Sequence, residues 1–184
     1  MSNITILDTP IAGLKIIQRK PISDSRGFLE RMFCQASLAS ILEEKTIRQI
    51  NHTLTVKEGT IRGLHFQYPP FSEVKIVTCI KGEVWDVAVD LRKNSPTFLQ
   101  SFGLLLNLEN YQSLYIPEGL AHGFQTLTPN CEILYLHTAD YNAAAEGGMN
   151  AIDPKFGISW PMLMSERSVK DENHPFLEGN FLGI

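Results

Sequence analysis

The chain has 184 residues, of which 43% are hydrophobic and 20% are charged, a balance typical of a soluble globular protein that buries a core. Its 16 basic and 20 acidic residues give a formal net charge of −4, which argues against nucleic acid as the main partner. The length suits a single domain over residues 1–184.

The N-terminus and the cysteines predict a cytoplasmic protein. Residues 1–20 lack a basic segment followed by a long apolar one, so they are not expected to be a secretory signal. No run approaches the roughly 18 apolar residues that a membrane span needs. Cys34, Cys79 and Cys131 are far apart and form no C-x-x-C pair, which predicts free thiols rather than disulfides or a zinc site.

Short segments bounded by turn residues follow one another along the chain. Their composition and alternation predict strands over 13–18, 27–33, 46–54, 59–67, 73–80, 83–91, 98–106, 111–116, 121–127 and 132–140. Residues 81–83 (KGE) predict a hairpin turn. A helix is expected over 35–44, and a turn of helix with extended chain in the tail. Many short strands at this spacing predict an all-β sandwich or barrel.

Several predicted strands pair an apolar face with a polar one. Asp86 and Asp90 share one face of 83–91, Tyr135 and His137 share one face of 132–140, and Lys75 lies on a face of 73–80. An unpaired buried carboxylate is costly, so such faces need water or partners. The pattern predicts a small barrel with an apolar outer layer and a polar, open interior.

The segment GTIRGLHFQ, residues 59–67, sets Arg62 and His65 among apolar strand residues. A lone strand histidine is commonly structural, but the neighbouring Arg62 and Gln67 leave a structural and a chemical interpretation both open. Gly63 permits a bulge that would turn Arg62 and His65 to the same side of the strand.

Three further side chains have both a structural and a chemical interpretation. His122 follows the bend of IPEGLAHGF and is either a turn histidine or a functional one whose tautomer Asp86 fixes. Lys75 either extends to solvent or points at a developing oxyanion. Tyr135 is either a core residue or a proton donor.

A metal site is the alternative that the histidines raise. His65, His122 and His137 offer three ligands, although no H-x-H pair occurs. The chain also lacks G-x-x-x-x-G-K-[ST], G-x-G-x-x-G and G-x-S-x-G, which argues against nucleotide hydrolysis, dinucleotide redox chemistry and serine hydrolysis.

Taken together, seven blocks resemble the dTDP-4-dehydrorhamnose 3,5-epimerase family of cupin-like sugar-nucleotide epimerases. They are DSRGF (24–28), QINHT (49–53), GTIRGLHFQ (59–67), KIVTCIKGEVWDVAVDLRKNSPTF (75–98), YIPEGLAHGFQTL (115–127), LYLHTADY (134–141) and DPKFGISWP (153–161). The resemblance implies an all-β, cupin-like jelly-roll β-barrel with a few short peripheral helices, forming a homodimer by strand exchange.

The resemblance also implies an activity without cofactor or metal. The substrate would be a nucleoside-diphosphate 4-keto-6-deoxyhexose, by default dTDP-4-dehydro-6-deoxy-D-glucose in rhamnose-type deoxysugar biosynthesis, epimerised at C3 and C5. His65 matches the base, Tyr135 the acid on the opposite face, and Lys75 the cation near the enolate oxygen, with His122 and Asp86 in support. The residues that match substrate contacts are Arg26, Gln49, Asn51, Arg62, His122, Glu146 and Arg167.

Two positions depart from the family pattern. Arg31 stands where the family has a glutamate, and Glu30 precedes it. Ser168 stands where the family has the aspartate that pairs with the base, and Asp171, three residues on, is the replacement if the tail shifts by one helical turn. These departures leave open an epimerase acting at one centre or on a CDP-sugar, and a catalytically silent sugar-nucleotide-binding relative. A metal-dependent cupin is the remaining alternative.

Overall fold

A computed structural model describes residues 3–184, which form antiparallel sheets with very little helix. The helical segments are α1 (Ala39–Leu42), α2 (Val169–Glu172) and a 3-10 turn at Pro154–Phe156. The strands are β1 (Ile4–Asp8), β2 (Lys15–Arg19), β3 (Ile22–Asp24), β4 (Gly27–Leu29), β5 (Gln49–Thr55), β6 (Ile61–Gln67), β7 (Lys75–Lys81), β8 (Glu83–Asp90), β9 (Ser101–Asn107), β10 (Gln112–Ile116), β11 (Leu120–Thr126), β12 (Cys131–His137) and β13 (Glu146–Gly148).

Two sheets form the body of the protein. One has six strands in the order β1-β2-β10-β7-β12-β5, the other five in the order β13-β6-β11-β8-β9, and β3 and β4 form a separate hairpin. Strands distant in sequence pair within each sheet, as in the β-barrels built by the jelly-roll connection. The prediction of an all-β jelly roll with short peripheral helices is therefore confirmed.

The space between the sheets is apolar along part of its length and polar at one end. Val77, Cys79 and Ile133 belong to a buried apolar cluster that both sheets line. Farther along the same strand faces, Lys75 and His137 lie opposite each other in register. The predicted polar interior is thus correct at one end only, because the other end carries the core that holds the sheets together.

Two further apolar clusters cover the outer faces. Val89 and Leu91 of the five-stranded sheet pack with Phe156 and Leu177 from the C-terminal part of the chain. On the six-stranded sheet, Leu42 of α1 lies in a separate buried cluster with Ile17 and Ile76. The C-terminal part of the chain is thereby fixed against the sheet that carries β6.

The predicted hairpin at residues 81–83 is wrong. Strands β7 and β8 belong to different sheets, so the chain crosses between the layers here. Gly82 has φ +75°, and a Cβ there would lie 2.7 Å from Thr128 Oγ1. A tight glycine turn between two strands signals a change of direction, but the partner of each strand depends on the whole barrel.

Other element predictions needed adjustment. The strand expected over 27–33 ends at Leu29, because the next residue, Glu30, turns inward to pair with the buried Arg19. The helix expected over 35–44 is reduced to Ala39–Leu42, and the helical turn of the tail is α2. Strands β1, β3 and β13 were not predicted; two of them have only three residues each.

The three cysteines are free, as predicted. No helix within residues 3–184 is long and apolar enough to cross a membrane.

Asp90 shows how one of the buried carboxylates is satisfied. Its oxygens accept hydrogen bonds from the Arg92 guanidinium at 2.7 and 2.9 Å and from the hydroxyls of Ser95 and Thr97, both at 2.6 Å. Burial opposes ionisation, but these four donors lower the pKa of Asp90 to about 2.

Asp90→Asn is expected to lower the free energy of unfolding by about 2 kcal/mol at pH 7, since one pKa unit corresponds to about 1.4 kcal/mol. The folded pKa is depressed, so this stability is complete above about pH 4 and disappears as the pH falls toward 2. Urea unfolding from pH 7 to pH 2 measures it. The control is Asp8→Asn, whose side chain is 86% exposed; a loss at Asp90 that does not change with pH would contradict the explanation.

Candidate active site

A cavity of about 830 Å³, counted with its open mouth, lies at the polar end between the sheets. A concave cleft lined by a few convergent polar groups is typical of a small-molecule site. Seven side chains predicted from the sequence line it together: Asn51, Arg62, His65, Lys75, His122, Tyr135 and Glu146.

A bulge in β6 brings Arg62 and His65 into the same cavity. In the pairing of β6 with β11, His65 lies opposite His122 and Arg62 lies opposite Phe124. A step of two residues on β11 therefore matches a step of three residues on β6. Gly63 between them has φ +114°, and a Cβ there would lie 2.6 Å from Gly123 Cα. The predicted bulge is confirmed, and Gly63 is required by the close approach of the two backbones.

His65 is held by a carboxylate from the C-terminal segment. Its Nε2 lies 2.6 Å from Asp171 Oδ1, and the Asp171 carboxyl also accepts a 3.4 Å hydrogen bond from the backbone N–H of Gly63. Burial raises the pKa of Asp171, but the hydrogen bond and charge of His65 outweigh it and hold that pKa below its ordinary value. Asp171 is thus an ionised partner that fixes the imidazole ring.

Ser168 has a structural function at the start of α2. It is the N-cap of α2, and its hydroxyl accepts a 3.1 Å hydrogen bond from the backbone N–H of Asp171. Serine is among the residues preferred at an N-cap. The segment therefore starts a helix at Ser168 and places the carboxylate one turn later, as the sequence predicted for Asp171.

A second histidine–carboxylate pair lies deeper in the cavity. His122 Nε2 is 2.8 Å from Asp86 Oδ1, and the Asp86 side chain is fully buried. Burial raises the pKa of Asp86, and the neighbouring His122 and Lys75 oppose that rise. The predicted contact between Asp86 and His122 is present.

Tyr135 reaches the cavity from the opposite sheet to His65. It lies on β12 of the six-stranded sheet, whereas His65 lies on β6 of the five-stranded sheet. Its ring meets the His122 ring edge-on, with centroids 6.0 Å apart. Burial, together with the charge of Asp86, raises the pKa of Tyr135, so the phenol stays protonated and can donate.

Lys75 is fixed by two partners and belongs to a chain of charges. Its Nζ donates to the His65 carbonyl oxygen at 3.2 Å and lies 3.3 Å from Glu73 Oε1. The other oxygen of Glu73 lies 2.8 Å from His137 Nδ1. Sequence reasoning missed Glu73, although period two puts it on the face of Lys75, and it raised His137 only as a metal ligand in the alternative interpretation.

Glu146 closes another side of the cavity. Its carboxylate accepts hydrogen bonds from Tyr141 Oη at 2.8 Å and pairs with Lys170 Nζ at 2.6 Å. Burial raises the pKa of Glu146, and these two donors outweigh the rise and lower it. Tyr141 and Lys170 were not predicted, because nothing local in the sequence connects them with Glu146.

Three predicted substrate contacts lie outside the cavity within one chain. Arg26 sits on the β3–β4 hairpin, paired with Asp24 at 2.6 Å. Gln49 lies on the edge strand β5 and donates to Asn51 Oδ1 at 3.1 Å. Arg167 lines an adjoining groove behind His65 and donates to Asn150 Oδ1 at 2.7 Å.

The three histidines considered as metal ligands are engaged separately. His65, His122 and His137 pair with Asp171, Asp86 and Glu73 respectively. Within residues 3–184, one group of three side chains has ligand atoms all within 4.8 Å of one another: His65, Asp171 and His174. The histidine triad that the sequence raised as an alternative is therefore not assembled.

A family model and curated relatives match most of the chain. The family model described as dTDP-4-dehydrorhamnose 3,5-epimerase matches residues 8–179. The dTDP-4-dehydrorhamnose 3,5-epimerase of Salmonella typhimurium is 41% identical over 175 residues, covering 94% of this chain and 95% of that protein.

Solved structures are similar as well. The crystal structure of a dTDP-6-deoxy-D-glucose-3,5-epimerase from Legionella pneumophila, in complex with dTDP-4-keto-L-rhamnose, has a TM-score of 0.90 at 34% identity over 98% of this chain and 97% of that one. A 3'-monoepimerase from Streptomyces bikiniensis in complex with dTDP-quinovose has a TM-score of 0.86 at 29% identity, covering 92% and 86% of the two chains. This chain belongs to the dTDP-4-dehydrorhamnose 3,5-epimerase family.

Proposed function

We propose that the protein is an isomerase that epimerises dTDP-4-dehydro-6-deoxy-D-glucose at C3 and C5 in rhamnose-type deoxysugar biosynthesis. The observation that carries this proposal is that His65, paired with Asp171, faces the same cavity as Tyr135 on the opposite sheet. The family and the dTDP-sugars bound in related structures support the substrate class.

The reaction inverts a carbon next to a ketone. A base removes the proton from C5 or C3, the electron pair moves into an enolate at the C4 oxygen, and an acid returns a proton to the other face of the same carbon. Such a proton is abstracted only where the base is positioned and the enolate charge is stabilised. No redox step and no leaving group is involved.

Opposite walls of the cavity suit opposite faces of the sugar. His65 approaches from the five-stranded sheet and Tyr135 from the six-stranded sheet, so one removes a proton and the other supplies one. Since ionised Asp171 can only accept, Nε2 of neutral His65 carries the ring proton and Nδ1 is the basic atom. The buried ammonium of Lys75 stabilises the enolate oxygen.

The remaining contacts follow from position and charge. Arg62 and Asn51 line the cavity, and we assign Arg62 to the diphosphate because a guanidinium matches phosphate geometry. His122, held by Asp86, and Glu146, held by Lys170, border the sugar. Arg26, Gln49 and Arg167 stay proposals for nucleotide contacts, the first two through a partner subunit.

A homodimer would supply that partner. The β3–β4 hairpin exposes 60% of Ile22, 51% of Phe28 and 73% of Leu29, and the edge strand β5 exposes 62% of Ile50. Clustered exposed apolar residues and an open sheet edge are features of subunit interfaces. We infer that hairpin and edge strand meet a second copy, and we place the protein in the cytoplasm, where free cysteines persist.

Epimerisation at a single centre is the second candidate, and the likeness to the 3'-monoepimerase structure favours it. Incubation with dTDP-4-dehydro-6-deoxy-D-glucose in D2O, followed by NMR, separates the two. We expect deuterium at both C3 and C5; deuterium at one carbon identifies a single-centre enzyme.

Exchange with the CDP-linked sugar but not the dTDP-linked one would reject the nucleotide assignment. Binding with no exchange at either carbon would indicate a silent relative.

Asp171→Asn should slow the exchange at least about 100-fold, because the ring of His65 loses the carboxylate that fixes its tautomer and charge. Ser168→Ala is the matched control. It removes the helix cap, which costs about 1 kcal/mol of stability, but keeps the carboxylate, so exchange should stay within a few-fold of wild type. His65→Ala should abolish exchange. If Ser168→Ala were the more damaging variant, the pairing of Asp171 with the base would be wrong.

Replacing both Phe28 and Leu29 by glutamate is expected to convert the dimer to a monomer, because charges would be buried in the interface. Light scattering after size exclusion gives the mass. Leu163→Glu, at a residue that is 95% exposed, is the control and should leave the dimer intact. A wild-type chain with the mass of a monomer would overturn the proposed assembly.

A further inference from the structure

His137 lies in the wall of the cavity with one ring nitrogen unused. The residue is only 8% exposed. Its Nδ1 lies 2.8 Å from Glu73 Oε2, while Nε2 is buried and has no hydrogen-bond partner in the protein. Buried polar atoms are nearly always paired, so an orphan atom on a residue of the cavity wall points to a contact that a bound ligand completes as it seats against that wall.

The protonation of Glu73 decides which nitrogen carries the hydrogen. Burial raises the pKa of Glu73, but the hydrogen bond from His137 and the charge of Lys75 outweigh it and hold that pKa below its ordinary value. An ionised carboxylate can only accept, so Nδ1–H donates to Glu73. Nε2 of the neutral ring is then a hydrogen-bond acceptor.

The position of His137 places this acceptor among the proposed reacting groups. His137 follows Tyr135 by two residues on β12, and their rings stack with centroids 6.0 Å apart and planes inclined by 24°. On the neighbouring strand β7, His137 is in register with Lys75, whose ammonium reaches the His65 backbone at 3.2 Å. A sugar held between His65 and Tyr135 therefore lies beside His137.

We propose that His137 is a sugar-binding residue whose Nε2 accepts a hydrogen bond from a ring hydroxyl of the bound hexose. The inference rests on the proposed function, because it takes a sugar nucleotide as the ligand. Glu73 is the positioning residue: it holds the His137 ring with one oxygen and the Lys75 ammonium with the other.

Two substitutions separate the two nitrogens of the ring. In His137→Asn the side-chain amide occupies the place of Nδ1 and keeps a donor for Glu73, but no atom replaces Nε2. In His137→Gln the amide extends to the place of Nε2. Calorimetric titration of each variant with dTDP and with dTDP-glucose compares a ligand that lacks the sugar with one that carries it, and neither titration depends on turnover.

We expect His137→Asn to bind dTDP like the wild type and dTDP-glucose about ten-fold more weakly, the loss of one hydrogen bond. His137→Gln should recover part of that affinity. Glu109→Gln, at an exposed residue in the turn between β9 and β10, is the control and should match wild type with both ligands. Unchanged affinity for dTDP-glucose, or equal weakening with both ligands, would overturn the assignment and make His137 a structural residue.

A second measurement serves if His137→Asn does not fold. In the wild-type protein, the 15N resonance of His137 Nε2 should shift on addition of dTDP-glucose and stay in place with dTDP alone. A shift with neither ligand, although both bind, would overturn the assignment. A wild-type chain that binds neither dTDP nor dTDP-glucose would instead reject the proposed function, and with it the sugar contact.

Discussion

The close approach of β6 and β11 at Gly63 and Gly123 is the constraint on which the site depends. A side chain at Gly63 would meet backbone atoms at 2.6 Å, so the two strands lie this close only because glycine occupies that position. The resulting bulge turns Arg62 and His65 to one side. It also leaves the backbone N–H of Gly63 facing Asp171, so the same irregularity that aims the imidazole helps to hold its carboxylate.

Pairing of opposite charges allows several ionisable groups to be buried together around the cavity. Each of the three histidines that line the cavity, His65, His122 and His137, has one carboxylate within hydrogen-bond distance. Isolated charges in such a place would neutralise themselves or destabilise the fold. Fixed pairs instead keep each ring in one tautomer and one orientation, so the cavity holds oriented donors and acceptors before a ligand enters.

The polar strand faces and the bulge of the site could be predicted from the sequence, whereas the pairing of the strands could not. Period-two alternation identified the polar faces with Asp86 and Tyr135, and Gly63 within a strand predicted the bulge. The pairing of strands was not predictable in the same way: the KGE turn is local, whereas the sheet to which each flanking strand belongs is decided by packing across the barrel. Glu73, Lys170 and Tyr141 were missed because their partners are brought to them by the fold.

The capping of α2 has a consequence for the base. Ser168 is extended, and the helix that starts after it turns the backbone so that Asp171, in the first turn, faces His65. An insertion or deletion of one residue between Ser168 and Asp171 would rotate the carboxylate by about 100° around the helix axis and turn it away from the imidazole. The spacing from the cap to the carboxylate therefore decides whether the base keeps its partner.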